Sequence, residues 1–329
     1  MRSPASARVS AWWNSRPLPR LTVEMFEDLR SGECIAVDWT AAEYFAAEPL
    51  SRSVLGLLDT EPRAFRDAVA GEAREHVESK EMRLGTLLHL GLLEPHELAR
   101  RLAPDVPRPA IADGRAAAGT PGRVAFETWR RLCDLRDRAR KSMSEDAIDV
   151  PAETVMLLAR MIHAAQQHLE GGVLLRAPGE CEQSYVWREP ASGLLVKIRV
   201  DKVSRLTRSE TFGTDLQHGL SATDLKSTAS DATYQFTRSA RKFGYLPQAS
   251  LYTDALTAYF GEVPSWYWLV VTNEPVYRDE HGASVYQLTS DQLTRGREIY
   301  RAQLLDVLER RSTNNWTAAH RRGVHTLPL

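Results

Sequence analysis

Two aspartates and a lysine occur on neighbouring segments in the middle of the chain. Asp201 ends the alternating segment 196–201, and Asp224 and Lys226 lie two positions apart within the segment 220–228. Carboxylate oxygens are the ligands that Mg²⁺ and Mn²⁺ prefer. Such a cation lowers the pKa of a bound water and stabilises charge on a phosphate, and a lysine ammonium adds to that stabilisation. These residue types therefore indicate phosphodiester hydrolysis.

The alternation of side chains along extended segments predicts how these groups are placed. Lys197, Arg199 and Asp201 are expected on one face of their strand, and Asp224 and Lys226 project together from the next strand. If the two strands are neighbours, the two aspartates and Lys226 meet on one face of a sheet. An isolated Asp-x-Lys triplet is more often a surface ion pair, so the chemical interpretation depends on the residues around it.

Hydrophobic periodicity and capping residues predict the elements that position these groups. Helices are expected at residues 21–29, 40–47, 51–58, 62–70, 82–93, 124–139, 151–169, 234–243, 247–260 and 292–311. Gly171 and Gly172 are expected to stop the helix at 151–169, and Ser290 is expected to cap the last helix. Strands are expected at 182–187, 194–203, 220–228, 266–272 and 284–288, with a loop at 102–122.

This order of elements predicts an α+β (α/β) fold, in which a central mixed sheet is flanked by helices and preceded by a helical region. Residues 1–80 are expected to form a mostly helical N-terminal extension. Residues 81–329 are expected to form the main domain, with a helical part at 81–170 and the sheet with its flanking helices at 171–329.

Composition and charge exclude several classes of protein. The 329 residues carry a net charge of −1, from 42 basic and 43 acidic side chains, which gives no support for nucleic-acid binding but allows a local basic channel. Three cysteines, Cys34, Cys133 and Cys181, cannot form a four-cysteine zinc or iron–sulfur site. We expect a cytoplasmic protein without a membrane segment, because no apolar run has the length of a span and the N-terminus lacks a signal-peptide core.

A longer pattern resembles the PD-(D/E)XK nuclease superfamily and, more closely, the RecE-type exonucleases (exodeoxyribonuclease VIII and related phage or prophage enzymes). It consists of Glu182, Arg199-Val-Asp201, Asp224-Leu-Lys226 and Tyr245-x-x-Gln248. Three further stretches resemble that branch: the Gly-Thr-x-x-His run at 85–89, the Tyr-x-x-Gln-Ala-x-x-Tyr run at 245–252, and the tail at 315–328. The resemblance covers roughly residues 80–329.

The resemblance implies roles for these residues and a restriction-endonuclease-like core at 81–329. Lys226 is implied to be the catalytic lysine, and the helix that carries Tyr245 and Gln248 to line the site and contact the DNA end. The implied catalytic set is Asp201, Asp224, Lys226, Glu182, Gln248 and Tyr245. The implied metal-binding set is His89, Asp201, Asp224, Glu182 and Leu225. Without the resemblance, His89 on an apolar helix is more simply interpreted as a core histidine.

The sequence departs from the family pattern at two points. Val200 replaces the usual proline before the first aspartate, and the interval between Asp201 and Asp224 is long. Residues 205–220 therefore form an extended hairpin loop, or Asp215 replaces Asp224 in the pattern. Asp215-Leu-Gln217 lacks the lysine, which favours Asp224.

The implied activity is that of a Mg²⁺-dependent exonuclease, with Mn²⁺ as a substitute, which degrades double-stranded DNA from its ends for recombination or repair by strand annealing. A single-strand-annealing protein is the implied partner, and a homo-oligomer is compatible with the family. The alternatives are a CRISPR-associated, helicase-linked or restriction-type nuclease, or a catalytically inactive nucleic-acid-binding protein of the same fold.

Overall fold

A mixed β-sheet forms the centre of the computed structural model, which describes residues 26, 28–70, 79–104, 148–229, 233–276 and 281–317. Its seven strands are β1 (Cys34–Val37), β2 (Leu50–Ser51), β5 (Gly179–Arg188), β6 (Leu195–Leu206), β7 (Gly219–Thr228), β8 (Ser265–Thr272) and β9 (Ala283–Gln287). A second small sheet pairs β3 (Leu102–Pro104) with β4 (Ile148–Val150) in parallel.

Ten helices of the described residues surround these strands. They are α1 (Ala41–Ala46), α2 (Arg52–Leu55), α3 (Pro62–Val69), α4 (Lys80–Leu93), α5 (Pro95–Arg101), α6 (Ala152–Gln167), α7 (Leu169–Arg176), α8 (Thr233–Lys242), α9 (Tyr245–Phe260) and α10 (Ser290–Thr313). A 3₁₀ turn, Gly56–Asp59, connects α2 to α3. No helix within the described ranges is both long enough and apolar enough to cross a membrane.

The order of strands across the large sheet is β1-β5-β6-β7-β8-β9. Neighbours are antiparallel except for β7 and β8, which are parallel and are connected through α8 and α9. The short strand β2 pairs in parallel with the first half of β6. Strand β6 thus pairs with β2 at Val196 and Lys197 and with β7 only from Lys202 onwards. The stretch between these two pairings contains Asp201.

Hydrophobic layers cover both faces of the sheet. On one face, Trp266 and Trp268 of β8 pack in one cluster with residues of α9 and α10. On the other face, Leu269 and Val271 pack with residues of α4 and α6. Strand β8 is buried on both sides, which explains its almost uninterrupted apolar sequence. The fold class expected from the sequence, a mixed sheet flanked by helices, is confirmed.

Most predicted elements correspond to observed ones. Residues 102–104, which were expected in a loop, instead form β3. The boundary residues expected for two helices are also wrong. Gly171 and Gly172 do not stop a helix, because the preceding helix already ends at Gln167 and both glycines lie inside α7. His168 separates the two helices with an extended backbone, and its Nδ1 accepts a hydrogen bond from the amide of Gly171 at 3.2 Å. The last helix is capped by Thr289 rather than Ser290, because Thr289 and Gln292 form a reciprocal capping box.

The described part of residues 1–80 contributes strands as well as helices. Strand β1 pairs with β5, and β2 pairs with β6, so both belong to the same sheet as the predicted site. The helix expected at 124–139 lies outside the described residues, as do most of the segment 21–29, most of the loop at 102–122 and the tail beyond residue 317.

Candidate active site and metal centre

The pairing between β6 and β7 stops at the residues that the sequence analysis selected. The last paired residues are Lys202 and Thr223, and the next step would join Asp201 to Asp224. Instead, Oδ2 of Asp201 accepts a hydrogen bond from the backbone amide of Leu225 at 2.6 Å. The two strands therefore separate into a fork here, and a carboxylate replaces a backbone carbonyl as the partner of β7.

Strand β5 is also distorted at this level. Glu182 has a positive φ of 52°, which is uncommon for a residue with a side chain, and it is absent from the regular pairing with β6. The distortion lets its carboxylate reach two partners. Oε2 accepts a hydrogen bond from Nε of Arg199 at 2.8 Å, and Oε1 lies 3.4 Å from Nδ1 of His89. Glu182 thus connects the sheet to helix α4.

His89 enters the site from α4, a helix that Ser79 caps. The leucines of α4 pack against Leu269 and Val271 of β8. The Nε2 of His89 lies 3.2 Å from the carbonyl oxygen of Leu225, and its Nδ1 lies 3.7 Å from Oδ2 of Asp201. One ligand atom each from His89, Glu182 and Asp201 lie within 4.8 Å of one another. The imidazole is 30% exposed, so this group is reached from solvent rather than sealed in the core.

Asp224 and Lys226 complete the other side of the fork. The Lys226 ammonium contacts Oδ2 of Asp224 in an ion pair and lies 4.9 Å from the centre of the Tyr245 ring. Gln248, one helical turn after Tyr245 in α9, donates a hydrogen bond from Nε2 to Oδ1 of Asp224 at 3.0 Å. Helix α9 therefore fixes the positions of both the aspartate and the lysine.

The three acidic and basic residues do not share one face of the sheet, which corrects the expectation from strand alternation. Asp224 and Lys226 point toward α9, whereas Asp201 points toward His89 of α4. They approach each other through the opening between β6 and β7, where the regular pairing has ended. A two-residue alternation cannot predict this arrangement, because it assumes that the ladder continues.

The electrostatics of the site suit a divalent cation. Burial raises the pKa of Asp201 to about 6, and the nearby Asp224 charge adds to the rise. Burial lowers the pKa of His89, but the charge of Asp201 and the hydrogen bond and charge of Glu182 outweigh it and raise that pKa to about 9. The carboxylates thus attract positive charge strongly. Two carboxylates, an imidazole and a nearby backbone carbonyl form a donor set that fits Mg²⁺ or Mn²⁺.

All the residues selected from the sequence lie at or beside the fork. The carbonyl of Leu225, the residue expected among the metal ligands, faces His89 Nε2 and accepts from Nζ of Lys226 at 3.3 Å. Asp224 is not part of the close group formed by His89, Glu182 and Asp201. Asp215 lies exposed in the 207–218 loop, at the other end of the β6–β7 hairpin, so it does not replace Asp224. The catalytic and metal-binding roles themselves stay predictions.

Arg199 was given no role from the sequence, although it belongs to the Arg199-Val-Asp201 motif. The guanidinium donates a hydrogen bond to Glu182 from Nε. It also donates from Nη1 to the carbonyl of Trp39 at 2.9 Å and to the Ser184 hydroxyl at 3.2 Å. Trp39 belongs to the segment 1–80, which was expected to be a mostly helical N-terminal extension. The available signal was a cation two residues before a candidate ligand aspartate, which alternation places on the same side of the strand.

Comparisons with known proteins identify the family and support the fold. A family described as a PDDEXK-like domain of unknown function (DUF3799) matches residues 51–319. The chain belongs to this family. It is therefore a member of the PD-(D/E)XK nuclease superfamily, as the sequence motifs indicated. The finer RecE-type assignment stays a prediction.

A solved structure is similar to this PDDEXK-like chain. It is a crystal structure of a protein from Eubacterium rectale described as a "putative exonuclease", with a TM-score of 0.51 and 11% sequence identity. The similarity covers 88% of this chain and 96% of that chain. At such low identity it shows the fold alone. No curated protein matches the chain.

Proposed function

We propose that the protein is a Mg²⁺-dependent DNA exonuclease that hydrolyses phosphodiester bonds from the ends of double-stranded DNA, with Mn²⁺ as a substitute metal. The observation that carries this proposal is the convergence of His89, Glu182 and Asp201 with the Asp224–Lys226 pair at the fork. The similarity in fold to the protein described as a "putative exonuclease" supports it.

The residues at the fork have different roles in the proposed reaction. His89, Glu182, Asp201 and the carbonyl of Leu225 would hold the cation, and Asp224 would add negative charge beside them. When bound, the cation supplies an activated water and neutralises charge on the scissile phosphate. Lys226 places its ammonium next to the developing negative charge, and Gln248 keeps Asp224 oriented. Arg199 keeps Glu182 in its distorted position on β5.

Two kinds of partner follow from the RecE-type resemblance. Degradation of one strand from a duplex end leaves a single strand, so a single-strand-annealing protein is the expected partner in recombination or repair. A homo-oligomer that encloses the DNA is the expected assembly. Both are part of the proposal and rest on the resemblance rather than on a contact in this chain.

The decisive experiment compares linear and closed-circular duplexes of the same sequence, labelled at one end where an end exists, with Mg²⁺ and with EDTA. We expect degradation of the linear duplex only, and only with Mg²⁺. Cleavage of the closed circle would instead identify a restriction-type or other internally cutting member of the superfamily. Binding of DNA without any cleavage, in both Mg²⁺ and Mn²⁺, would identify a catalytically inactive relative.

A further inference from the structure

Helix α8 presents an exposed basic face next to the candidate active site. Its sequence contains Arg238, Arg241 and Lys242 and no acidic residue. Tyr234, Arg238 and Arg241 are spaced at i, i+4 and i+7, which places them in one stripe along the helix. All are exposed, whereas Phe236 on the opposite side is buried.

The buried side of α8 fixes the direction of that stripe. The Phe236 ring stacks on Tyr286 of β9, with the ring centres 4.8 Å apart, and also contacts Trp268 of β8. These contacts attach α8 to the sheet and leave the basic stripe facing solvent. Within the described ranges, Arg238, Arg241 and Lys242 form no ion pair with a carboxylate. On a chain with a net charge of −1, such an uncompensated cluster is a local attraction for a polyanion.

An aromatic side chain connects the end of α8 to the catalytic lysine. Phe243, directly after the helix, is 58% exposed. Its ring stacks on Tyr245 with the centres 5.9 Å apart and the planes at 26°. Tyr245 in turn carries the Lys226 ammonium on its ring. The Lys242 ammonium lies 5.1 Å from the centre of the Phe243 ring and is free to move from it, because its side chain is exposed.

We propose that the exposed face of α8 and Phe243 form the binding surface for an unpaired DNA strand at the duplex end. The cations of α8 bind consecutive backbone phosphates, and the Phe243 ring stacks on an unpaired base beside the scissile phosphate. A base that stacks on the Phe243 ring displaces the Lys242 ammonium from that ring, and the ammonium then binds a backbone phosphate. The inference deepens the proposed function and rests on it, because it requires that the duplex opens at its end before cleavage.

Charge and stacking together distinguish this occupant from others. A polyanionic protein segment would satisfy Arg238 and Arg241 but would not use an exposed ring next to the active site. A base offers a flat aromatic face, and stacking on a protein ring tolerates any base sequence. Intact duplex presents phosphates but keeps its bases paired, so it would leave Phe243 unused.

The phosphate contacts are tested by the salt dependence of binding. A fluorescein-labelled oligothymidylate is titrated by anisotropy in EDTA, so that no cleavage occurs. The triple variant Arg238→Ala, Arg241→Ala, Lys242→Ala should lower the slope of log K against log salt by about 2, at roughly 0.7 per phosphate contact on a single strand. The control Arg208→Ala changes an exposed arginine in the 207–218 loop and should leave the slope unchanged.

The stacking contact is tested with 2-aminopurine at the unpaired end of a frayed duplex. Wild type should quench its fluorescence, and Phe243→Ala should abolish the quenching and weaken binding about tenfold. Phe243→Trp should restore both. The control Phe212→Ala removes a ring that is 89% exposed in the distant 207–218 loop and should change neither. A thermal melt of each variant verifies that it is folded.

The outcomes separate this inference from the proposed function. Unchanged quenching, affinity and salt slope in a protein that degrades linear DNA would overturn the α8 surface alone. Polyglutamate binding as tight as that of the oligonucleotide, and insensitive to Phe243→Ala, would overturn it in favour of an acidic peptide. The predicted changes in salt slope, quenching and affinity, found in a protein that does not cleave DNA, would overturn the exonuclease assignment alone.

Discussion

The carboxylate of Asp201 accepts a hydrogen bond from the backbone amide of Leu225 at 2.6 Å, at the position where the β6–β7 ladder has just ended. One aspartate thus serves two purposes. It replaces a ladder hydrogen bond for β7, and it brings a negative charge to the neighbourhood of His89 and Asp224. The structural purpose and the chemical purpose can be separated by substitution.

We expect Asp201→Asn and Asp201→Ala to differ in stability and to agree in activity. The asparagine keeps an oxygen acceptor for the Leu225 amide, whereas alanine leaves a buried N–H unpaired, which costs about 1–3 kcal/mol. Both lose the charge that a divalent cation requires. Urea unfolding should therefore rank alanine below asparagine, and both should lose nuclease activity. Equal unfolding free energies would show that the hydrogen bond to Leu225 contributes nothing to stability.

Lys226→Ala should lower the rate of hydrolysis by at least about 10²-fold and leave DNA binding nearly unchanged. The ammonium contacts Asp224 and the Tyr245 ring, and in the proposed reaction it would stabilise charge that develops on the phosphate. Removal of one such stabilising group typically costs about 10²–10³ in turnover. Single-turnover cleavage and anisotropy in EDTA measure the two properties separately. The control Lys80→Ala alters an exposed lysine at the start of α4 and should retain wild-type turnover. Appreciable turnover by Lys226→Ala would remove the lysine from the catalytic set.

His89→Ala should weaken metal binding more than it weakens the fold. The imidazole approaches Glu182, Asp201 and the Leu225 carbonyl and is 30% exposed, so little apolar packing is lost with it. Metal binding to the native state raises the melting temperature, and the rise grows with the logarithm of the metal concentration divided by its Kd. We expect the Mn²⁺-dependent rise to shrink in His89→Ala and to persist in His163→Ala, which alters an exposed histidine of α6. A lower melting temperature at every Mn²⁺ concentration, with an undiminished rise, would return His89 to a packing role.

The sequence predicted the strands that carry the site better than it predicted how they meet. Alternation and turn residues located β5, β6 and β7, and the Asp-x-Lys motif selected Asp224 and Lys226 because both lie on a regular strand. The position of Asp201 relative to them depends on the fork and on the positive φ of Glu182. No local pattern encodes either feature, because both occur where strands distant in sequence meet and where Glu182 contacts His89 of α4.

The N-terminal strands were missed for a different reason. β1 has four residues and β2 has two, which is too short for an alternating pattern to stand out from the surrounding chain. Their places in the sheet are set by pairing with β5 and β6, more than 140 residues later. The carbonyl of Trp39, which accepts a hydrogen bond from Arg199, belongs to the same segment, so this contact of the site was not predicted from the sequence either.

A buried lysine outside the active site predicts a pH dependence of stability. Nζ of Lys197 donates hydrogen bonds to the carbonyls of Tyr44 at 2.6 Å and Ala47 at 2.5 Å, and the residue is only 4% exposed. Burial lowers the pKa of Lys197 to about 8. An unfolded lysine has a pKa of about 10.4, so between these values the unfolded chain binds a proton that the folded chain has released. Stability should therefore rise with pH across this window and be independent of this group below it.

The effect is isolated by comparison with Lys197→Met. From about pH 8 to pH 10, wild type should gain roughly 1–3 kcal/mol in unfolding free energy relative to the variant. The comparison is needed because burial raises the pKa of Tyr44 to about 12, and its titration in the unfolded state acts in the opposite direction near pH 10. Parallel curves for the two proteins, measured by urea unfolding, would show that Lys197 stays protonated in the native state.

Two helical glycines predict opposite responses to alanine. A methyl group on Gly296 of α10 would lie 2.6 Å from the carbonyl oxygen of Leu246 and would clash with the hydroxyl of Ser250. That hydroxyl already donates to Leu293 O at 2.8 Å, so it cannot move away without loss. Gly296→Ala should therefore separate α9 from α10 and cost about 1–3 kcal/mol.

Gly85 in α4 has no neighbour within 4 Å of such a methyl group, so Gly85→Ala should stabilise the protein by about 0.5–1 kcal/mol through helix propensity. A urea midpoint of Gly296→Ala at or above that of wild type would contradict the close packing of α9 on α10, and a lowered midpoint of Gly85→Ala would contradict the open space at that position.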